Sequence, residues 1–332
     1  MRVCIVGAGA IGAYIGGKLL MSGEEVTLIA RGANLAALRR NGLTIIESDG
    51  RREQVQPTLV TDSMQEAGEH DLVIVAVKAH GLASVVEPMR ALYHDKTAVL
   101  MAQNGIPWWY FHGVEGEFAN RRIEAVDPDG TIERNLEVER VIGSIVYIAS
   151  ELVEPGVVRH VEHQRLTLGE PNSSKSERVL AISRMLIKAG FKAPVTTRIR
   201  NEIWVKLWGN MVFNPLSALT RATLVEMIQY PHTNRLARAM MAEGQAIGEK
   251  LGIQFGVDIE TRLKGAEGVG AHKTSMLQDI EAGRPTEIEA LVGAVIELGR
   301  LTQTPTPHLD AIYAAVKLME QQLLKQTEKT AA

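Results

Sequence analysis

Lys206, Asn210 and Asn214 stand four residues apart in the run RNEIWVKLWGNMVFNPLSAL, Arg200 to Leu219. At helical pitch the three share one face, while Trp204, Leu207 and Met211 fall elsewhere on the cylinder. A solvated helix face usually carries mixed Glu and Lys pairs. One ammonium with two amides can instead donate hydrogen bonds to an oxygen-rich anion without setting a carboxylate against it. A lysine desolvated in such a place has a lowered pKa and can deliver a proton. The plain alternative is a polar face bonded to its own neighbours.

A second group of residues suits a phosphate. Arg2 to Val6 (RVCIV) reads as a short strand, and Gly7-Ala8-Gly9-Ala10-Ile11-Gly12 follows at once, before helical periodicity sets in up to Ser22-Gly23. In this G-x-G-x-x-G spacing Gly7 allows the turn, Gly9 admits a pyrophosphate, and Gly12 lets the helix lie close on the sheet. The helix N-terminus supplies unpaired N–H groups and a dipole that favour an anion. Glu25 to Ala30 is a second strand, and where an NAD-binding chain places an acid for the ribose hydroxyls this one has Arg31. The missing acid and the guanidinium together point to the 2′-phosphate of NADP(H). Two more candidates lie at the carboxyl ends of apolar strands, where open α/β sheets bind ligands. They are Lys78, after Asp71 to Val77, and Asn104, in the Gln103-Asn104-Gly105 turn after Thr97 to Ala102.

These residues need a scaffold of two kinds. Strand signals run through the first half: Leu43 to Glu47 and Gln54 to Val60 read as a hairpin insertion around Ser48-Asp49-Gly50, and Gly143 to Leu168 as an antiparallel extension of the sheet. Asp127-Pro128-Asp129-Gly130 is a turn in an inserted excursion, and Trp108, Trp109 and Tyr110 either wall a pocket or lie buried under a loop. Ser176 to Ala189 is a helix ended by Gly190, and after Pro194 every long segment has helical period. The predicted organisation is α/β plus all-α, with a Rossmann-type dinucleotide-binding domain over 1–194 and an all-helical substrate and catalytic domain over 195–332.

Composition narrows the field. The chain has 332 residues, enough for about two domains, and a net charge of −3 with both signs interspersed, so no basic face for nucleic acid or anionic lipid is implied. Cys4 is the single cysteine, inside the first strand, which rules out a disulfide framework. His160 and His163 are too isolated for a metal site, and no cluster has metal-ligand spacing. Five glycines from Gly7 to Gly17 argue against a membrane-spanning N-terminus, and a reducing cytoplasm is the expected location.

GAGAIG at the N-terminus, Arg31, Lys78, QNG at 103–105, KLWGNMVFNPLSAL at 206–219 and SMLQDIEAGRPTEIEAL at 275–291 resemble the ketopantoate reductase (2-dehydropantoate 2-reductase) family over nearly the whole chain. The resemblance implies a helical domain of the 6-phosphogluconate dehydrogenase C-terminal type and reduction of ketopantoate to pantoate by NADPH, on the route to pantothenate and coenzyme A. It implies a small 2-oxo acid as partner, with neither nucleic acid nor membrane, and a homodimer as a candidate assembly. Carried over by position, it makes Lys206 the catalytic lysine, Asn210 and Asn214 substrate ligands, and Asn104 a ligand of cofactor and substrate. Ser275 becomes the serine for the substrate carboxylate, and Glu287 the acid of the T-E-I motif, in catalysis or in binding. Ser275 with Gln278 also spells a capping box, and Glu287 after Thr286 suits a first helical turn, so both have purely structural readings.

The chain departs from the family pattern in two places. Gly81 stands where several members carry a polar side chain near the cofactor, and 108–140 is longer than a compact member needs. Two other functions therefore compete: reduction of a different small 2-oxo acid with the same machinery, and a non-catalytic NADP-binding sensor. A sensor has no use for the proton donor that Lys206 supplies.

Overall fold

The structure, a computed structural model, describes residues 1–331 and the side chains of 1–326. It comprises two compact units: one of 1–103, 108–122 and 129–199, the other of 104–107, 123–128 and 200–332.

In the first unit, β1 (Arg2–Val6), α1 (Ala10–Met21), β2 (Glu25–Ile29) and α2 (Gly32–Asn41) open the fold. Strands β3 (Leu43–Ile46), β4 (Arg52–Val55) and β5 (Leu59–Thr61), then α3 (Met64–Ala67), β6 (His70–Val75) and β7 (Tyr93–Met101) follow. After α4 (Thr131–Asn135) come the long strands β8 (Val141–Glu154) and β9 (Val157–Gly169), and α5 (Glu177–Lys188), whose N-cap Ser176 accepts from Val179 N–H. The sheet has nine strands in the order β4-β3-β9-β8-β7-β6-β1-β2-β5. From β5 through β8 all neighbours are parallel, which is the doubly wound order, and the strand direction of travel reverses between β1 and β6. Val3, Ile5, Leu28, Leu72, Ile74 and Leu100 are fully buried, consistent with near-continuous apolar strands covered on both faces. Cys4 is buried there as well, and burial pushes its thiol pKa up.

The expected hairpin over 43–60 is smaller than its apolar pattern suggested. Only β3 and β4 pair antiparallel, and β5 leaves them to run parallel to β2. β3 in turn pairs parallel with β9, so the insertion extends the far edge of the sheet. Trp108, Trp109 and Tyr110 are buried, and the first two also line a cavity of about 200 Å³ within the 108–139 region of this unit. Trp109 lies where a side chain at Gly143 would have to go, its ring 2.7 Å from an ideal Cβ.

The second unit is helical: α6 (Ile199–Thr220), α7 (Leu224–Gln229), α8 (Pro231–Lys250), α9 (Ile259–Gly268), α10 (Ser275–Glu281), a π-turn at Glu289–Gly293, α11 (Ala294–Leu301) and α12 (Pro307–Ala331). The core forms where α6 meets α8 through Trp204, Trp208, Met211, Met240 and Met241, all fully buried or nearly so. Trp208 Nε1 donates to the Met241 carbonyl at 2.8 Å, so the indole enters the core without an unpaired donor. Pro215 stands inside α6 and removes the bond its N–H would have made to the Met211 carbonyl.

The units divide at Ile199/Arg200, not at the expected 194/195. Residues 195–199 stay with the sheet because Val195 bridges Leu168, and Thr196 N–H donates to the Leu168 carbonyl at 2.8 Å. Two short segments of the first half join the second unit through hydrogen bonds of their backbone N–H groups, which composition does not reveal. Ile106 N–H donates to the Ala290 carbonyl at 2.9 Å. The Glu297 carboxylate accepts from the N–H groups of Glu124 and Ala125 at 2.9 and 2.8 Å. Among the described residues no helix is long and apolar enough to cross a membrane.

Candidate active site

In the first unit the glycine turn has the shape the spacing predicts, and each glycine answers to a different constraint. Gly7 has φ +101°, and a Cβ there would lie 2.8 Å from Val77. Gly12 would drive a Cβ into the Gly7 carbonyl and onto Ala76 and Ile5, so α1 can lie against β1 and β6 only without a side chain. Gly9 differs: its φ of −77° is ordinary, and its Cβ direction is open, with nothing within 4 Å. Neither backbone strain nor packing in the protein calls for glycine at 9. An open approach to the N-terminus of α1 is what a pyrophosphate requires.

The amides of Gly7 and Ala8 both donate to the Ile29 carbonyl, at 3.3 and 3.1 Å, which ties the turn to the end of β2. That leaves the first turn of α1, Ala10 to Gly12, as the source of unpaired N–H groups for an anion. Arg31 occupies the N-cap of α2, exposed and extended, and its guanidinium makes no hydrogen bond or ion pair among the described residues. Lys78 follows β6 and heads a short 3₁₀ turn, its carbonyl accepting from Gly81 N–H at 2.9 Å. These residues fit a dinucleotide with a 2′-phosphate.

In the second unit, Lys206 Nζ donates to Asn104 Oδ1 at 2.5 Å, and Asn104 Nδ2 is 3.4 Å from Glu287 Oε2. Lys206 lies two turns into α6 and is half-buried; Glu287 is buried. Burial lowers the lysine pKa to about 8, and the Glu287 carboxylate holds it from falling further. Asn104 owes its place to Gly105. With φ +90° and an ideal Cβ 2.4 Å from the Ala290 carbonyl oxygen, that residue allows the 104–106 backbone to lie against the π-turn. Single π-turns inside helices recur at functional sites. This one begins two residues after Glu287, whose carbonyl accepts from Leu291 N–H at 3.1 Å.

Glu287 thus precedes the helix and does not sit in its first turn as expected. Thr286 is held by Glu320 of α12, which accepts from its N–H at 2.6 Å and its hydroxyl at 2.8 Å. Ser275 does not cap α10 either. Thr274 does, accepting from Leu277 N–H, which leaves the exposed Ser275 hydroxyl 3.4 Å from Asn214 Nδ2. Asn214 is buried and Asn210 half-buried, one turn apart on the Lys206 face. Lys206, Asn104, Glu287, Asn214 and Ser275 are therefore linked within one unit, in two sets joined through α6. Two positions went unnoticed in the sequence. Thr274 stands one residue before the expected box and has Leu277, not Glu or Gln, three residues on, so no capping-box pattern marks it; Asn34, on α2, carries no sequence signal either.

The model for ketopantoate reductase PanE/ApbA matches residues 3–173, and that for the ketopantoate reductase PanE/ApbA C terminal matches 198–320. The chain belongs to the ketopantoate reductase family. It is 51% identical over 318 residues to the 2-dehydropantoate 2-reductase of Mesorhizobium japonicum, covering 96% of this chain and 97% of that one. It is 30% identical to the 2-dehydropantoate 2-reductase of Pyrococcus horikoshii, covering 96% and 98%. A solved candidate ketopantoate reductase from Ralstonia solanacearum superposes with a TM-score of 0.92 at 40% identity over 97% and 98% of the two chains. The first matched region ends at residue 173 and the second begins at 198, beside the boundary between the compact units, so that α6 with its polar face opens the second of them.

Proposed function

We infer that the chain reduces 2-dehydropantoate to pantoate with NADPH, and that Lys206 is its proton donor. The Lys206–Asn104–Glu287 chain of contacts supports this reading most directly, because it presents a half-buried ammonium, with its pKa lowered to about 8, from a face that carries amides and a hydroxyl. The α1 N-terminus would hold the pyrophosphate and Arg31 the 2′-phosphate. When bound, NADPH supplies a hydride to the 2-oxo carbon. As the carbonyl carbon becomes tetrahedral its oxygen gathers negative charge, and Lys206 both stabilises that charge and gives the proton that completes the hydroxyl. Asn104 accepts from Nζ and so orients the ammonium. Asn210, Asn214 and Ser275 can only donate or accept hydrogen bonds, which suits holding the substrate's carboxylate and hydroxyl. Glu287 keeps Asn104 and the lysine in place and favours the charged form of Lys206.

A site built to bond a hydroxyl rejects an analogue lacking one, because its buried polar groups are then left unpaired. Steady-state rates with ketopantoate and with 2-oxo-3,3-dimethylbutanoate test the substrate. Ketopantoate should be strongly preferred, and plain 2-oxo acids matching it would favour a different substrate. Restored growth of a pantothenate auxotroph lacking its own reductase tests the role in cells. A cytoplasmic location and a homodimer belong to the same reading. The ketopantoate reductase of Staphylococcus aureus that shares this fold is described as dimeric, and light scattering on this chain tests the point.

A further inference from the structure

Asn34 lies in the first turn of α2, three residues after Arg31, and both ends of its amide are engaged. Nδ2 donates to the Ala8 carbonyl, in the glycine turn, at 2.7 Å. Oδ1 accepts from Gly156 N–H, in the turn between β8 and β9, at 2.8 Å. A carbonyl takes only a donor and an N–H only an acceptor, so these partners fix which end of the amide is which. The β8–β9 turn is itself immobilised: the Gly156 carbonyl accepts from Thr44 N–H of β3 at 2.9 Å, and Gly156 packs on Ala37 of α2. Besides Asn34, the glycine turn is tied to the β2 end by the Gly7 and Ala8 amides on the Ile29 carbonyl and by the β1–β2 ladder that ends at Val6 and Ile29, but none of these reaches α2, which begins at Gly32 with φ +55°.

We propose that Asn34 is a positioning residue that fixes the spacing between two anion sites of the dinucleotide, the N-terminus of α1 and the Arg31 end of α2. The proposal rests on the NADPH reading above. The physical reason is preorganisation. A ligand with phosphates at both ends binds tightly only if the two sites are already held at the right separation, whereas a ligand with one phosphate is indifferent to it.

Isothermal titration of the full chain with NADPH, 2′,5′-ADP and adenosine 2′-monophosphate, for wild type, Asn34→Ala and Asn34→Asp, tests it. Asn34→Asp keeps the size and the acceptor for Gly156 but offers the Ala8 carbonyl no donor. The expected result is about tenfold weaker binding of NADPH and 2′,5′-ADP in both variants, the scale of losing a buried hydrogen bond, with less than about twofold change for adenosine 2′-monophosphate. In turnover the loss should fall on KM for NADPH and not on kcat. Equal weakening of all three ligands would overturn the proposal, since Asn34 would then only shape the α2 end; so would unchanged NADPH binding. If Asn34→Ala does not fold, Asn34→Asp decides. Wild-type protein that binds none of the three would overturn the cofactor reading itself, and this proposal with it.

Discussion

The glycine turn after β1 and the polar face of α6 hold their functional groups by different means. Around Gly7 to Gly12 the backbone presents the candidate ligand-binding atoms, and the sequence contributes chiefly by leaving side chains out. Around Lys206 the side chains present them, and segments distant in sequence must converge: 104–107 from the first half, α6, the start of α10 and the stretch before the π-turn. The backbone arrangement needs only local order, so it can be read from six consecutive residues. The side-chain arrangement depends on tertiary bonds such as Ile106 N–H to the Ala290 carbonyl, and the lysine pKa is lowered because that convergence buries it.

The comparison is broken most sharply at Lys206. General acid–base catalysis is typically worth about 10²- to 10⁴-fold, so Lys206→Ala should lower kcat by at least about a hundredfold while NADPH still binds, because the glycine turn lies in the other unit. The wild-type rate should also respond to pH. The donor form is the ammonium, its pKa is lowered to about 8, and kcat should therefore be flat at neutral pH and fall as pH rises through that region. The apparent value belongs to the enzyme–substrate complex and not to the free enzyme's lysine alone. Near-normal kcat in a folded Lys206→Ala protein would assign the proton to water or Glu287 and leave the stripe as a binding surface.

The same contrast explains what could be read in advance. Strand, glycine turn and helix follow from local periodicity and from residues whose tasks are steric, and α6 follows from a helical pattern that survives Pro215. Lys206, Asn210 and Asn214 were visible because a helix converts spacing into a shared face. The misreadings came where two local rules competed or where the deciding bond was non-local. Ser275 and Thr274 both suit an N-cap, and only the fold shows that Thr274 takes the role. Nothing in residues 43–60 says that β5 will pair with β2, because its partner lies about thirty residues upstream. Asn104 looked like part of the first domain because it follows a strand of that domain, yet Gly105 carries the backbone onto Ala290.

Two glycines on α1's approach sharpen the comparison from the backbone side. Gly12→Ala forces a Cβ into the Gly7 carbonyl, and overpacking of this kind typically costs about 1–3 kcal/mol, so thermal unfolding should move down by several degrees. Gly9→Ala meets open space at an ordinary φ and should leave stability within about 0.5 kcal/mol of wild type. If the open approach is kept for a pyrophosphate, the second variant should nonetheless weaken NADPH by roughly tenfold or more, the scale of a lost charge-assisted contact. Equal effects on stability and binding at both positions would mean that Gly9 is structural after all.

Arg31 should show a smaller, selective effect. A charge-assisted contact is worth roughly 1.5–3 kcal/mol, so wild type should prefer NADPH over NADH by at least about tenfold in kcat/KM, and Arg31→Ala should erase most of that margin by raising KM for NADPH alone. NADH sets the control, since it has no 2′-phosphate for the guanidinium to meet. Equal use of the two cofactors by wild type would move Arg31 to the solvated surface.

The smallest effect belongs to Ser275. Its hydroxyl is exposed, stands 3.4 Å from Asn214 Nδ2 and is spared from capping by Thr274, so losing it should remove one hydrogen bond to the substrate and little from the fold. A typical hydrogen bond contributes about 0.5–1.5 kcal/mol net, which corresponds to a rise in KM for the 2-oxo acid of roughly two- to tenfold. Thr274→Ala is the matched control: it removes the cap of α10 at a cost of roughly 0.5–2 kcal/mol in stability, with no direct loss of a substrate contact. If Ser275→Ala lowers the melting temperature as Thr274→Ala does and leaves KM unchanged, the serine supports the helix start and not the ligand. If it raises KM at constant melting temperature, the side-chain arrangement on α6 extends to α10, and the two neighbouring hydroxyls have divided the work between them.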